Sequence, residues 1–200
     1  MEMKTLKIGY MDNNCYVVNA PNSSKGIIID PADDAEIIKE RLEKRFLVPH
    51  AVLITHAHYD HIGAVAALQN LGAKVFMHKA DEPIIKWSVE TKGTRGFCVD
   101  HYVEDGEVLE FDNLRLKVIH TPGHSPGGVC YLTTNGKVFT GDTLFRESVG
   151  RGDLPLGNFE ELKNSIKEKL FTLPDDHEVF PGHGKSTSIE HEKKFNPYLS

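Results

Sequence analysis

The apolar run Ala51-Val52-Leu53-Ile54 leads directly into Thr55-His56-Ala57-His58-Tyr59-Asp60-His61. Four apolar residues bounded by polar ones are the pattern of a short strand buried on both faces. In an extended segment side chains alternate, so His56 and His58 project the same way and together can grip a single ion. Asp60 and His61 fall in the first turn of the helix that follows and face a second ion. That helix is expected to carry Ile62, Val65, Ala66 and Leu68 on one side and to stop at Gly72. Imidazole and carboxylate without thiolate suit zinc, manganese or iron.

Metal-capable side chains recur at three further strand ends. His124 lies in the glycine-containing turn from Thr121 to Gly128, Asp142 follows Gly141, and His183 stands between Gly182 and Gly184. One such turn is weak evidence. Three in series, joined to three histidines and an aspartate within six residues, are strong evidence.

Around these turns strand-like and helix-like segments alternate, which predicts an α/β or α+β domain. Cys15 to Ala20 and Gly26 to Ile29 read as a hairpin. A helix capped by Asp33 or Asp34 should carry Ile37, Ile38, Leu42 and Phe46. Lys74 to Met77 reads as a strand and Ile84, Ile85 and Trp87 as part of a helix, with no motif between Lys79 and Val99. Leu114 to His120 alternates with period two, Asn135-Gly136 marks a hairpin between Val129–Thr133 and Val138–Thr140, and Glu178–Phe180 is a short strand. Asn158 with Glu161 starts a capped helix bearing Phe159, Leu162, Ile166 and Leu170.

Composition bounds the function. The 200 residues make one domain at about 150 residues per domain, and 26% charged with 40% hydrophobic residues is ordinary globular content. A net charge of -6 without a basic tract excludes sequence-independent nucleic-acid binding. No run reaches the ~18 apolar residues of a membrane span and no signal peptide opens the chain, so a cytoplasmic protein without membrane partners is expected. Cys15, Cys98 and Cys130 have no CxxC spacing and read as small buried hydrophobes.

Taken together, His56-x-His58-x-Asp60-His61 with His124, Asp142 and His183 in order resembles the metallo-β-lactamase superfamily over essentially the whole chain. The segments Thr121–Gly128, Gly141–Phe145 and Gly150–Asp153 are most similar to its short, single-domain hydroxyacylglutathione hydrolase (glyoxalase II-like) branch. The resemblance implies an α+β fold, a four-layer αββα sandwich built from two αβ halves of about 1–105 and 106–200. It implies that His56, His58 and His124 hold one divalent ion, that Asp60, His61 and His183 hold another, and that Asp142 bridges them. The ions are expected to be zinc, with iron or manganese as alternatives. Members that hydrolyse β-lactams usually carry other residues at the positions of His61 and Asp142.

Two ions about 3.5 to 4 Å apart lower the pKa of a shared water towards about 7, so a metal-bridging hydroxide is the expected nucleophile, with Asp60 orienting it. A thiolate leaving group needs no acid, its thiol having a pKa near about 8.5, which points to a small-molecule thioester such as S-lactoylglutathione. A mononuclear non-haem iron persulfide dioxygenase, using His56, His124 and Asp142, and a di-metal lactone or phosphodiester hydrolase are the alternatives. Asp30 is a candidate to fix the ring of a ligand histidine. Tyr59 must lie near the cleft and Arg151 should pair with Asp153. His120 reads as a hydrogen-bonded core histidine, and His50, His78, His101, His177 and His191 as surface or structural groups.

Overall fold

The structure, a computed structural model, describes residues 1–199. Two six-stranded sheets stack face to face. The first runs in sequence order: β1 (Glu2–Ile8), β2 (Asn13–Asn19), β3 (Lys25–Ile29), β4 (Val48–Leu53), β5 (Lys74–His78) and β6 (His101–Val103). Its first three strands are antiparallel and β3 to β6 are parallel. The second contains β7 (Val108–Phe111), β8 (Leu114–His120), β9 (Val129–Thr133) and β10 (Lys137–Gly141). A two-strand ribbon, β11 (Leu144–Phe145) and β12 (Ser148–Val149), leads to β13 (Glu178–Pro181) and β14 (Thr187–Ser188), and the sheet order is β14-β13-β10-β9-β8-β7. Only β10 and β13 run parallel in it.

Helices cover both outer faces: α1 (Ala35–Glu43), α2 (Tyr59–Ile62), α3 (Val65–Asn70) and α4 (Glu82–Lys92) belong to the first half, α5 (Phe159–Ser165) and α6 (Ile189–Phe195) to the second. Three apolar clusters account for the layers. Val17, Ile28, Val52 and Val75 pack with Ile38, Leu42, Val65 and Leu68 under the first helices. Ile27, Ile29, Leu53, Leu116, Val118 and Tyr131 fill the space between sheets, and Val138, Val179, Leu162, Ile166 and Ile189 close the other side. Period-two alternation distributes each strand's residues between two of these clusters. The result is the expected αββα arrangement.

Local expectations change at several points, Ile37 among them, which α1 turns to solvent. The helix expected from Asp60 is broken into α2 and α3, because the Gly63 and Ala64 N–H groups donate to Ala32 and Pro31 carbonyls, each at 2.9 Å, instead of continuing the helical ladder. Phe46 is 90% exposed. α1 stops at Glu43, Phe46 turns left-handed at φ 55°, and Leu47 takes the core place. Cys98 is exposed, whereas Cys15 and Cys130 are buried as expected. Near Asn158, which caps α5 by accepting from the Glu161 N–H, Phe159 is partly solvent-facing. No helix of the described residues is long and apolar enough to cross a membrane.

Candidate metal centre

Parallel pairing gathers the site. β3 and β4 end side by side, and so do β10 and β13, so Asp30, His56, Asp142 and His183 all emerge at carboxyl ends of strands. Cross-sheet bonds hold these ends together: Val129 N–H donates to Thr55 O at 2.8 Å, Tyr131 Oη to Ile54 O at 2.9 Å, and Asn14 N–H to Gly182 O at 2.7 Å. The turns are tight enough that a Cβ on Gly182 would collide with Asp142 Oδ1 and sit 2.6 Å from His61 Cε1.

All seven side chains expected to bind metal converge. Ligand atoms of His56, His58 and His124 lie within 4.8 Å of one another, and those of Asp60, His61 and His183 do likewise. Asp142 stands between the two trios, with Oδ1 3.4 Å from His61 Nε2 and Oδ2 3.7 Å from His124 Nε2 and 3.6 Å from His183 Nε2. Asp30, His56 and His61 form a third close trio. Asp30 is already engaged there: it accepts from Thr55 N–H at 2.7 Å and Thr55 Oγ1 at 2.6 Å, and its Oδ2 is 3.0 Å from His61 Nδ1. It therefore orients the His61 ring and leaves Nε2 pointing at Asp60 and Asp142. The His124 ring is fixed in the same manner by the Arg151 carbonyl, 2.8 Å from Nδ1.

Charge is unevenly distributed over the cluster. Burial, reinforced by the neighbouring His61, His124 and His58 rings, pushes His56 well below its ordinary value, and burial with His124 brings His58 down to about 3. Both rings are neutral at ordinary pH. Burial works against charge on Asp60 and Asp142 as well, but His61 outweighs it and holds both carboxyls below the usual range. His61 is raised, despite burial, by Asp142, Asp60 and Asp30. His56 Nε2, His58 Nε2 and Asp142 Oδ1 are buried without any hydrogen-bond partner. A buried polar atom left unpaired costs about 1–3 kcal/mol, so three together, in a set of nitrogen and carboxylate donors, fit divalent cations.

Three contributors had no signal in the sequence pattern. Asn13 Nδ2 donates to Asp60 Oδ2 at 3.0 Å and lies 3.2 Å from His183 Nε2, yet Asn13 is only a polar residue opening a strand. Asp81, just before α4, is buried and accepts from Ala57 N–H at 2.8 Å, Ser125 Oγ at 2.9 Å and Gly127 N–H at 2.6 Å. It thereby ties the loop bearing His56 and His58 to the loop bearing His124. Trp87 on α4 walls the cleft beside His58, with ring centroids 6.1 Å apart. Both Asp81 and Trp87 lie in the segment where no motif was expected. The remaining histidines stay outside the site: His101 and His191 pair with Glu107 and Glu147, while half-buried His120 stacks on His78 at 4.1 Å and contacts the Pro126 carbonyl.

The cleft over the cluster has a volume of about 450 Å³, and Met11, Tyr59, Trp87, Phe145, Val149 and Leu154 give it a largely apolar wall. Arg151 also reaches it but is held by Asp153 through Nε and Nη2 at 2.8 and 2.9 Å, the pairing expected from sequence. The metallo-beta-lactamase superfamily model matches residues 8–183. The chain belongs to that superfamily. It is 33% identical over 210 residues to the Haemophilus influenzae hydroxyacylglutathione hydrolase GloC, covering 100% of this chain and 99% of that one. The crystal structure of BLEG-1 B3 metallo-beta-lactamase superposes with a TM-score of 0.90 at 35% identity, covering 100% of both chains. That of TTHA1623 in a di-iron-bound form gives 0.86 at 36% identity, covering 98% of this chain and 100% of that chain. A superfamily metallo-hydrolase with His and Asp groups able to hold two metals is thus what sequence and geometry agree on, and relatives of different activity share the frame.

Proposed function

We propose that this metallo-hydrolase cleaves a small-molecule thioester of the S-lactoylglutathione kind. His56, His58 and His124 would hold one divalent ion, Asp60, His61 and His183 the other, and Asp142 would reach both. Bound there, zinc or iron ions supply a Lewis acid for the substrate carbonyl and acidify water to give hydroxide at neutral pH. Asp60, ionised and facing the cleft, would accept a hydrogen bond from a water bound there, and Asn13 holds the carboxylate in place. Asp30 and the Arg151 carbonyl keep the His61 and His124 rings in register.

The observation that carries the thioester is the scarcity of proton donors around the cleft. Besides the cluster itself, its titratable lining residues are Tyr59, pushed up to about 12 by its Tyr10 contact and burial, and Arg151, held by Asp153. Neither has a pKa near neutral, where a general acid is most effective. An amine leaving group needs that proton, and a thiolate does not, because its conjugate acid has a pKa near about 8.5. The full-length relationship to GloC supports the same reading.

The test is hydrolysis of S-D-lactoylglutathione by wild type and Asp142→Ala at known metal content. Turnover by wild type that falls by at least about a hundredfold in the variant is expected. No turnover with two ions bound overturns glutathione thioesters as the substrate, and oxygen uptake with glutathione persulfide by protein carrying a single iron overturns the hydrolase.

A further inference from the structure

Tyr59 and Asp60 separate two cavities. Besides the apolar cleft, a second one of about 270 Å³ opens on their other side, with Tyr10, Asn13 and Asp33 along one wall and Lys92, Thr94 and Arg95 along the other. Its cationic wall is set by a turn. α4 ends at Lys92, Gly93 takes φ 70°, and the reversed chain brings Arg95 to the same cavity as Lys92.

Among the described residues neither Lys92 nor Arg95 has a carboxylate partner, in contrast to Lys86 with Glu90 and Arg151 with Asp153. The Lys92 ammonium lies 5.0 Å from the Tyr59 ring centroid and 5.7 Å from that of Trp87, above the partition between the cavities. Tyr59 is held in that partition by a 2.8 Å hydrogen bond to the Tyr10 hydroxyl and by ring stacking on it.

We infer that this second cavity is the subsite for a carboxylate-ended arm on the thiol portion of the substrate, with Lys92 and Arg95 as the carboxylate's partners. The inference rests on the thioester reading and deepens it: the acyl group occupies the apolar cleft, the ester lies at the metal ligands, and the thiol arm passes Tyr59. Arg and Lys at one end of a cavity supply the paired donors that a carboxylate takes. The volume, below the range of about 300 to 1,000 Å³ usual for whole ligands, suits one arm of a molecule. Asp33 and Asp60 face the same space, so two cations are offset by two carboxylates. That balance repels a dianionic phosphate more strongly than a singly charged carboxylate.

The experiment pairs kinetics with binding, using wild type and a Lys92→Ala/Arg95→Ala double variant. Both side chains are exposed, so the variant retains the fold, which circular dichroism checks. For S-D-lactoylglutathione the variant is expected to show KM raised about tenfold with kcat retained. The lactoyl thioester of N-acetylcysteamine, which has no carboxylate, is expected to show no change. S-methylglutathione, a thioether that cannot be hydrolysed, is expected to bind the variant about tenfold more weakly by calorimetry. Unchanged S-methylglutathione affinity, or an equal KM increase for the neutral thioester, overturns the subsite. A lactoyl-coenzyme A thioester preferred over the glutathione one and equally sensitive to the double variant also overturns it, in favour of phosphate. If wild type hydrolyses none of these thioesters but S-methylglutathione binding still depends on Lys92 and Arg95, the subsite stands and the thioesterase reading falls.

Discussion

The Asp30 carboxylate lies 3.0 Å from His61 Nδ1 while also receiving the Thr55 N–H and hydroxyl. One buried side chain at the end of β3 thus sets both the turn that launches His56 and the ring that points Nε2 at Asp60. Asp30 adopts φ 49°, a left-handed conformation that Asp and Asn tolerate. Asp30→Asn therefore keeps the backbone and removes the charge. Metal affinity is expected to fall about 10–100-fold, the usual effect of losing such an outer partner, measured by competition with a chromophoric chelator. Affinity equal to wild type would show that the carboxylate does not orient His61.

Asp81 is the corresponding clamp between loops. Asp81→Ala leaves the Ala57 and Gly127 N–H groups buried without their acceptor, at about 1–3 kcal/mol each. A loss of about 2–4 kcal/mol in urea unfolding is expected, together with weaker metal retention. Stability within about 0.5 kcal/mol of wild type would refute the clamp.

Removal of metal should loosen the whole molecule, because four of the candidate ligands come from before β6 and three from after it. A ligand at a thousand times its Kd adds about 4 kcal/mol to stability, and a domain of this size gains about 2–4 °C per kcal/mol. Chelation is expected to lower the Tm by about 10 °C and readdition of zinc to restore it, followed by scanning calorimetry. A Tm indifferent to chelator would mean that the cluster binds no ion of consequence.

Asp105 gives a pH dependence remote from the centre. Burial raises its carboxyl, but the His120 backbone N–H and Lys169 outweigh this and hold it below the usual range. With the folded value below the unfolded one of about 3.9, its contribution is complete above about pH 4 and is lost as pH falls through the folded value. Asp105→Asn should narrow the stability difference between pH 6 and pH 3, read from urea midpoints. An identical difference in both proteins would remove Asp105 from the acid response.

The convergence of the seven candidate ligands was legible from residues 55–61 and three glycine-bounded turns because a metal site demands particular atoms at strand ends, and sequence displays both the atoms and the turns. The two-sheet architecture rested on resemblance, and strand pairing such as β10 with β13 joins residues some forty positions apart that no local pattern links. Asn13 and Asp81 were invisible for another reason. A polar side chain that serves by pairing with one buried neighbour looks, in a linear chain, like any other polar side chain. Phe46 misled because an apolar residue one turn past a helix keeps the helical spacing after the backbone has left it.

Gly182 has consequences for how such a protein can change over generations. With Asp142 Oδ1 and His61 Cε1 standing where its Cβ would be, the position admits no side chain, whereas Met11, Trp87, Phe145 and Leu154 line the open wall of the cleft. Mutational drift is thereby channelled. The chemistry-bearing floor is frozen by sterics, and novelty accumulates in the wall, so a lineage can exchange one substrate for another without passing through a form that has lost its reactive centre.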